Sequence, residues 1–471
     1  MRDWDLAEVA RHAGARAVAG ESVASERGPR SAVIDSRSVG PGDLFVGLRG
    51  AHVDGGEFAR QALAAGAWGV LVGADHAQAV VAVADGAAVL AHPDPLAGLQ
   101  ALARAWVRSL KRDGARVVAI TGSAGKTSTK DILSALLAEH LRTVSSPQNL
   151  NTEIGLPLAV LGAPPGTQAL VLEMAMRGAG QIAELAAIAE PDVGVIVNVG
   201  PVHLALLGTI EAIAAAKAEL IAGLEPGATI VVPAGEPLLA SHLRADLHTS
   251  TFGPDGDFVL EHTSQEGEVV IGERDQSGIA RQIVLTPSFA QAHNLSNLLA
   301  AVAAARALGI TPRGAVEVSF SALRGERLEL GGGVVLINDC YNANPMSMRA
   351  AIDDLAERAP ARRVAVLGDM LELGAEASRL HREVGERASE RGVELLVTVG
   401  PLAREMGETF AGETHSVTDA SAAARLLEPL LAPGDTVLVK GSRGVGLERV
   451  AQILATAEAE RPVGSVPGRG R

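Results

Sequence analysis

Cysteine, lysine and aromatic residues are all scarce in this chain of 471 residues. A single cysteine, Cys340, leaves no partner for an internal disulfide and suits a reducing cytoplasm. Aromatic residues make up 2 %, and Tyr341 is the only tyrosine. No stretch of about eighteen apolar residues is free of charge, so no transmembrane helix is expected. The start, Met1-Arg2-Asp3-Trp4-Asp5, is charged and lacks an apolar h-region, which speaks against a secretory signal. An excess of positive charge is also missing. The formal net charge of −14 argues against a protein that coats nucleic acid. It leaves anionic ligands open, because phosphates are held by local donors.

Of 41 basic residues only five are lysines: Lys111, Lys126, Lys130, Lys217 and Lys440. In a chain so biased toward arginine, lysine is expected where a compact, deprotonatable amine is needed. Apolar residues, 47 % of the chain, suffice for a core in each of about three domains.

Three segments follow. Residues 1–112 mix short apolar runs with glycine-rich turns and end in a helix over about 95–110. A polar break at Lys111-Arg112-Asp113-Gly114 opens the second, 113–311. There, apolar runs at 116–121, 169–172, 193–199 and 229–232 alternate with helical patterns, which implies βαβ units and a parallel sheet. The polar stretch 254–282 reads as hairpins or an insert, and an alanine-rich helix covers 294–308. A third segment, 312–460, repeats the alternation with strands at 334–338, 364–367, 395–399 and 436–439. The tail 461–471, rich in Pro, Gly and Arg, is expected to be disordered.

Thr121-Gly122-Ser123-Ala124-Gly125-Lys126-Thr127-Ser128 follows a strand and opens a helix. The glycines let backbone N–H groups turn toward a phosphate, and the helix N-terminus adds its dipole. Lys126 can reach the outer phosphates, and the Thr127 hydroxyl can ligate Mg²⁺. Ile120 stands where the usual loop has its first glycine, so this is a shortened variant. Ligands of open α/β sheets sit beyond the carboxyl ends of strands. Two further strand ends lead into Glu173 and into His203, a carboxylate and an imidazole suited to a cation on a triphosphate. A loop histidine without a ligand is an equally good reading of His203. Lys217 sits with Ile213, Leu220 and Ile221 on the apolar stripe of a helix over 209–223. A lysine that snorkels or pairs with an acid is the ordinary reading of such a position. Burial would instead favour the neutral amine.

These residues resemble the Mur ligase family over about 31–452, and within it the members that add D-alanyl-D-alanine. Asp35-Ser36-Arg37-Ser38 with Gly50-Ala51-His52-Val53-Asp54-Gly55 is similar to the family's uridine diphosphate-sugar domain. Asn149-Leu150-Asn151-Thr152 is similar to its Asn-x-Asn stretch beside nucleotide and substrate. Asp339-Cys340-Tyr341-Asn342-Ala343-Asn344-Pro345 matches the D-Ala-D-Ala-adding type, and Gly368-Asp369-Met370-Leu371-Glu372-Leu373-Gly374 and Lys440-Gly441-Ser442-Arg443 match its C-terminal domain.

The resemblance implies three α/β domains, with a central P-loop parallel-sheet domain and a Rossmann-like C-terminal domain. It implies ATP and Mg²⁺, two ions of it, with Thr127, Glu173, His203 and Lys217 at the metal. Lys126, Glu173, His203 and Lys217 are then catalytic, and Lys217 carries CO₂ as a carbamate. His293, Asn294 and Asn297 would lie by the adenine, and Arg327 and Asp339 by phosphates and ribose. Ser36, Arg37, His52, Asp54, Asn149, Asn151, Thr152, Tyr341, Asn342 and Asn344 would hold substrates. The substrates would be UDP-N-acetylmuramoyl-tripeptide and D-Ala-D-Ala, joined through an acyl phosphate by a cytoplasmic monomer. Asn338, Cys340, Gln291, Pro233-Ala234-Gly235-Glu236 and Gly56 depart from the family pattern and bear on the adenine and uridine sides. Three other readings compete: a folylpolyglutamate synthase type, which lacks the uridine domain, a different Mur ligase that adds a single amino acid, and a P-loop switch protein that ligates nothing.

Overall fold

The computed structural model describes residues 1, 3–20, 28–147, 149–275 and 277–459. The expected disordered tail lies outside them. Three sheets follow one another along the chain.

The first has the order Arg16–Ala19, Ala88–Ala91, Gly69–Val72, Leu44–Val46, Ala32–Val33, parallel but for its first pair. The helix Pro95–Arg112 then leaves this sheet. Asp94 caps it by accepting from the amides of Leu96 and Ala97, and Pro95 sits where no N–H is needed. Its buried face carries Leu99, Leu102, Trp106 and Leu110.

The second sheet has ten strands. Its parallel heart runs His248–Phe252, Thr229–Pro233, Val193–Ile196, Arg116–Thr121, Ala169–Glu173, Thr143–Ser145. The four inner strands read as largely apolar runs because helices cover both faces. The polar stretch beyond 254 forms the antiparallel strands Phe258–Thr263, Val269–Asp275 and Gly278–Pro287, which extend this sheet. Arg116–Thr121 lies between Val193–Ile196 and Ala169–Glu173, where the strand order reverses. Such a switch point opens a crevice at the strand ends.

Two expectations need correction. The strand expected over 193–199 ends at Ile196. Asn198 leaves the ladder because its carbonyl and side chain hold the phosphate loop. The third segment does not begin at 312. Gly314–Val316 still pairs with Leu285–Pro287 at the central sheet's edge, so the chain leaves that sheet only after Val316.

The third sheet has the order Glu326–Leu330, Val334–Asn338, Thr436–Lys440, Arg363–Gly368, Leu395–Val399, Glu413–Val417, parallel except for its first hairpin. The carboxyl ends of Val334–Asn338 and Thr436–Lys440, with residues 339–344, meet the central sheet's phosphate-loop region.

Candidate active site

The phosphate loop leaves the strand at Thr121 and enters the helix Lys126–Ala138. Gly125 caps that helix in a left-handed conformation, φ 78°. A Cβ there would also stand 2.5 Å from Asn297 Oδ1, so only glycine fits beside the asparagine. The loop is tied to the turn after Val193–Ile196. Ala124 N donates to Asn198 Oδ1 at 2.9 Å, and Ser123 Oγ donates to Gly200 O at 2.9 Å. Lys126 Nζ donates back to Gly122 O at 2.8 Å. Burial and the nearby Arg324 lower the Lys126 pKa, against the attraction of Glu173.

Behind the loop, Glu173 is buried at the end of Ala169–Glu173. Its carboxylate accepts from Thr127 Oγ1 at 2.8 Å and from Asn151 Nδ2 at 2.9 Å. Thr127, Asn151, Glu173 and His203 therefore share one cavity of 460 Å³, which Thr152, Tyr341, Asn342 and Asn344 also line. His203 enters with a left-handed backbone, φ 55°, and its Nδ1 meets the carboxylate of Glu372 from the third domain. Burial lowers its pKa, against the pull of Glu372.

Lys217 is 1 % exposed on the helix Ile210–Ala222. No hydrogen bond or ion pair joins its amine to another described residue. Burial, with Lys126 close by, holds its pKa well below the usual lysine range. Of the two sequence readings, snorkelling and acid pairing both fail. Among the described residues no group of three His, Cys, Asp and Glu forms a ready metal site. The hydroxyl of Thr127, the carboxylate of Glu173 and the imidazole of His203 do suit a hard cation, and an acid group on Lys217 would complete the set.

A second cavity, of 260 Å³, opens on the other side of the loop. His293, Asn294, Asn297, Ser128, Arg327 and Asp339 line it. Asn297 Nδ2 donates to Asn294 Oδ1 at 3.2 Å. Asp339 is gripped by the buried Lys440, whose Nζ donates to Oδ2 at 2.6 Å and to Asn342 O at 3.1 Å. Cys340 points inward, its thiol donating to Val439 O at 3.2 Å, and burial pushes its pKa far up.

The third domain touches the loop at several points. Asn344 caps the helix Pro345–Arg358 and donates from Nδ2 to Ser123 O at 3.3 Å. Tyr341 OH donates to Asn149 Oδ1 at 2.7 Å. Arg324, which sequence reasoning passed over, donates from Nη2 to Thr127 Oγ1 at 3.2 Å. Nothing set it apart in a chain rich in arginine. Glu372 lay in a quoted motif, but only the fold brings it to His203.

The N-terminal residues are not part of this assembly. Ser36, Arg37, His52 and Asp54 line neither cavity. Arg37 pairs with Asp35, and Ser36 Oγ donates to Gln61. Asp54 accepts from Gly56 N and pairs with His76 at 3.2 Å. The departure at Gly56 has a local cause. A Cβ there would lie 2.3 Å from His76 Cδ2, so the His76 ring fills the space.

This arrangement matches known proteins along the chain. Residues 30–107 match the Mur ligase family catalytic domain, 120–305 the Mur ligase middle domain, and 323–443 the Mur ligase glutamate ligase domain. The UDP-N-acetylmuramoyl-tripeptide–D-alanyl-D-alanine ligase of Bacillus subtilis is 36 % identical over 431 residues, covering 89 % of this chain and 92 % of its own. That of Mycobacterium tuberculosis is 35 % identical over 523 aligned positions, covering 99 % of this chain and all of its own. Among solved structures, MurF ligase from Thermotoga maritima in complex with ADP superposes with a TM-score of 0.77 at 31 % identity, covering 92 % of this chain and 99 % of its own. MurF from Acinetobacter baumannii gives 0.81 at 25 % identity, covering 96 % and 99 %. With three domains matched in order and relatives aligned over most of its length, the chain belongs to the Mur ligase family.

Proposed function

We propose that this chain is an ATP-dependent ligase of peptidoglycan synthesis that joins D-alanyl-D-alanine to UDP-N-acetylmuramoyl-tripeptide. Relatives of that name align over most of the chain. One geometric observation carries the reading. The phosphate loop and the Tyr341–Asn344 segment face each other across a single cavity, which Lys126, Glu173 and His203 also line. A nucleotide's terminal phosphate, an acceptor carboxylate and an incoming amine can meet there.

A carboxylate does not react with an amine in water because oxide is a poor leaving group. Attack of the tripeptide carboxylate on the γ-phosphorus forms a new P–O bond and releases ADP. The dipeptide amine then attacks the acyl carbon; phosphate leaves, and the nitrogen gives up a proton. In the first step like charges approach, so preorganised donors carry the catalysis. Lys126 and the loop amides hold the triphosphate. His293, Asn294 and Asn297 support an adenine contact, and Arg327 and Asp339 flank the same cavity. Asn151, Thr152, Tyr341, Asn342 and Asn344 line the cavity on the acceptor side, and Asn149, bonded to Tyr341, would support them there. Ser36, Arg37, His52 and Asp54, away from the chemistry, would grip the uridine end.

Mg²⁺, in two ions held by Thr127, Glu173, His203 and a carbamate on Lys217, would screen the triphosphate's charge. Lys217 supports this, because only a neutral amine adds CO₂ and this amine has no partner to keep it charged. A cytoplasmic monomer is part of the proposal. Among the described residues no helix is long and apolar enough to cross a membrane.

The test is phosphate release from ATP with each substrate omitted in turn. The reading requires release that depends on both the nucleotide-tripeptide and D-Ala-D-Ala. ATP hydrolysis indifferent to both would leave the switch-protein reading standing.

A further inference from the structure

The junction between the two cavities is occupied by Arg324, which lines both. It stands between the last strand of the central sheet and the first of the third. Its backbone is set up by an unusual residue: Leu323 is left-handed, φ 61°, without being glycine, and its carbonyl accepts from Tyr341 N at 3.2 Å. Such a conformation is strained and persists only where the surroundings enforce it. The effect is to turn Arg324 toward the phosphate loop. Its guanidinium stacks on the Tyr341 ring, with Cζ 4.1 Å from the centroid, and Nη2 donates to Thr127 Oγ1.

What the guanidinium lacks matters more. Among the described residues no carboxylate pairs with it. Its Nε is buried and has no hydrogen-bond partner. A buried, unpaired donor on a charged group is costly unless a ligand satisfies it. Lys126 lines the same cavity, close enough for the two charges to repel, so the junction holds two cations. Glu173, the carboxylate whose charge acts on Lys126, is already engaged by Thr127 and Asn151. Positive charge and free N–H donors thus converge where the two cavities meet. Arg327, the arginine expected at the phosphates, lines only the nucleotide-side cavity.

We propose that Arg324 is a catalytic residue that clamps the phosphoryl group in transit between nucleotide and acceptor carboxylate. A planar guanidinium can present two parallel N–H groups to two phosphoryl oxygens, which Lys126, a point charge, cannot do. Arg324 makes and breaks no covalent bond. It donates to oxygens whose charge builds as the group moves, exchanging its bond to Thr127 for one to the phosphoryl. Because it reaches the loop from the third domain's side, its donors arrive only when that domain is docked.

The inference rests on the ligase reading, and the experiment separates the two. Wild-type protein is first assayed for phosphate release that needs both substrates; failure there strikes the ligase reading. Binding of ADP alone is then compared with binding of ADP plus aluminium fluoride and Mg²⁺, which mimics the transferred phosphoryl and needs no acceptor. In wild type the fluoride complex should bind tighter than ADP. In Arg324→Gln, which keeps much of the stacking area, that tightening should fall at least tenfold while ADP binds within about twofold. Arg324→Lys should recover charge but little of the tightening. The kcat of both variants should fall about 10²–10³-fold, the range for removing one transition-state donor, with KM for ATP little changed. Full tightening in Arg324→Gln, or a loss shared equally by ADP alone, would overturn the assignment.

Discussion

The two seams between domains are built from opposite materials. Where the first domain meets the second, Leu99, Leu102, Trp106 and Leu110 of one helix belong to a single apolar cluster. That cluster also contains Leu44 and Leu71 from the first sheet and Leu156, Val160 and Leu170 from the central domain. Trp106 Nε1 donates across it to Ala163 O at 2.9 Å. Where the second domain meets the third, the links are mostly polar: Tyr341 to Asn149, Asn344 to Ser123, Arg324 to Thr127, and Glu372 to His203, to Ala205 N and to Arg177. The third sheet's two cores are separate clusters, to one of which the central domain lends only the half-buried Leu204. Apolar burial is cumulative and non-directional, whereas each polar bond contributes a net ~0.5–1.5 kcal/mol and re-forms easily with water. The first seam therefore joins two domains into one body, and the second is a contact that can open and close around the phosphate loop. Chemistry that must admit substrates and then exclude water needs that kind of seam.

The contrast would break if the rigid body's own site were forgiving. Lys217 lies inside that body, buried on the helix whose Ile213 and Leu220 belong to its apolar cluster. Lys217→Arg keeps a positive charge but cannot form a carbamate, so it should lose about 10²–10³-fold in kcat, as much as Lys217→Ala. Short-chain carboxylates, which can supply the missing oxygens, should restore part of the activity of Lys217→Ala. A fully active Lys217→Arg would sink the carbamate.

Next in size is the apolar seam. Leu102 has no exposure and belongs to the apolar cluster that the two domains share. Leu102→Ala should cost ~2–5 kcal/mol, read from chemical denaturation. Because one cluster serves both domains, they should still melt in one transition, apart from any separate transition of the third. Two resolved transitions for the first and second domains would mean that the shared core does not couple them.

At the polar seam, Tyr341→Phe removes one hydrogen bond to Asn149 and leaves the ring under Arg324. The loss of ~1 kcal/mol should appear as a roughly fivefold rise in KM for the dipeptide. The melting temperature should not move. A drop in melting temperature with unchanged kinetics would show that the bond holds the fold together rather than governing closure.

How much of this the sequence could carry follows from the range of the signals. The phosphate loop was legible because strand, glycines, Lys126 and helix are contiguous, and local chemistry dictates the local turn. The strands at 116–121, 334–338 and 395–399 were legible because a buried parallel strand is an unbroken apolar run. Lys217 was half legible: periodicity placed it on the buried stripe, but the absence of a counter-ion depends on neighbours distant in sequence. The strand Gly314–Val316 was hidden because three residues behind Pro312 carry no periodicity. Arg324 and Glu372 were hidden because their partners, Thr127 and His203, lie 197 and 169 positions away.

The smallest effect should be at Cys340, and it bears on whether the third domain moves as a rigid unit. Cys340 lies two residues past the strand Val334–Asn338, next to the polar seam, yet its side chain belongs to a core of the third domain with Leu336, Val366 and Val439. If only the seam opens, that core stays closed and the thiol stays covered. Burial raises the thiol's pKa from the usual 9.0, so the thiolate that alkylating reagents need is absent near neutrality. The folded state then keeps its proton where the unfolded chain loses it, so Cys340 makes stability fall as pH rises above 9.0. Native protein should therefore resist iodoacetamide at pH 8 equally with and without ADP, and react only in denaturant. Modification of the free protein that ADP suppresses would mean that opening reaches into the third domain's core, and the seam would no longer be a boundary between rigid parts.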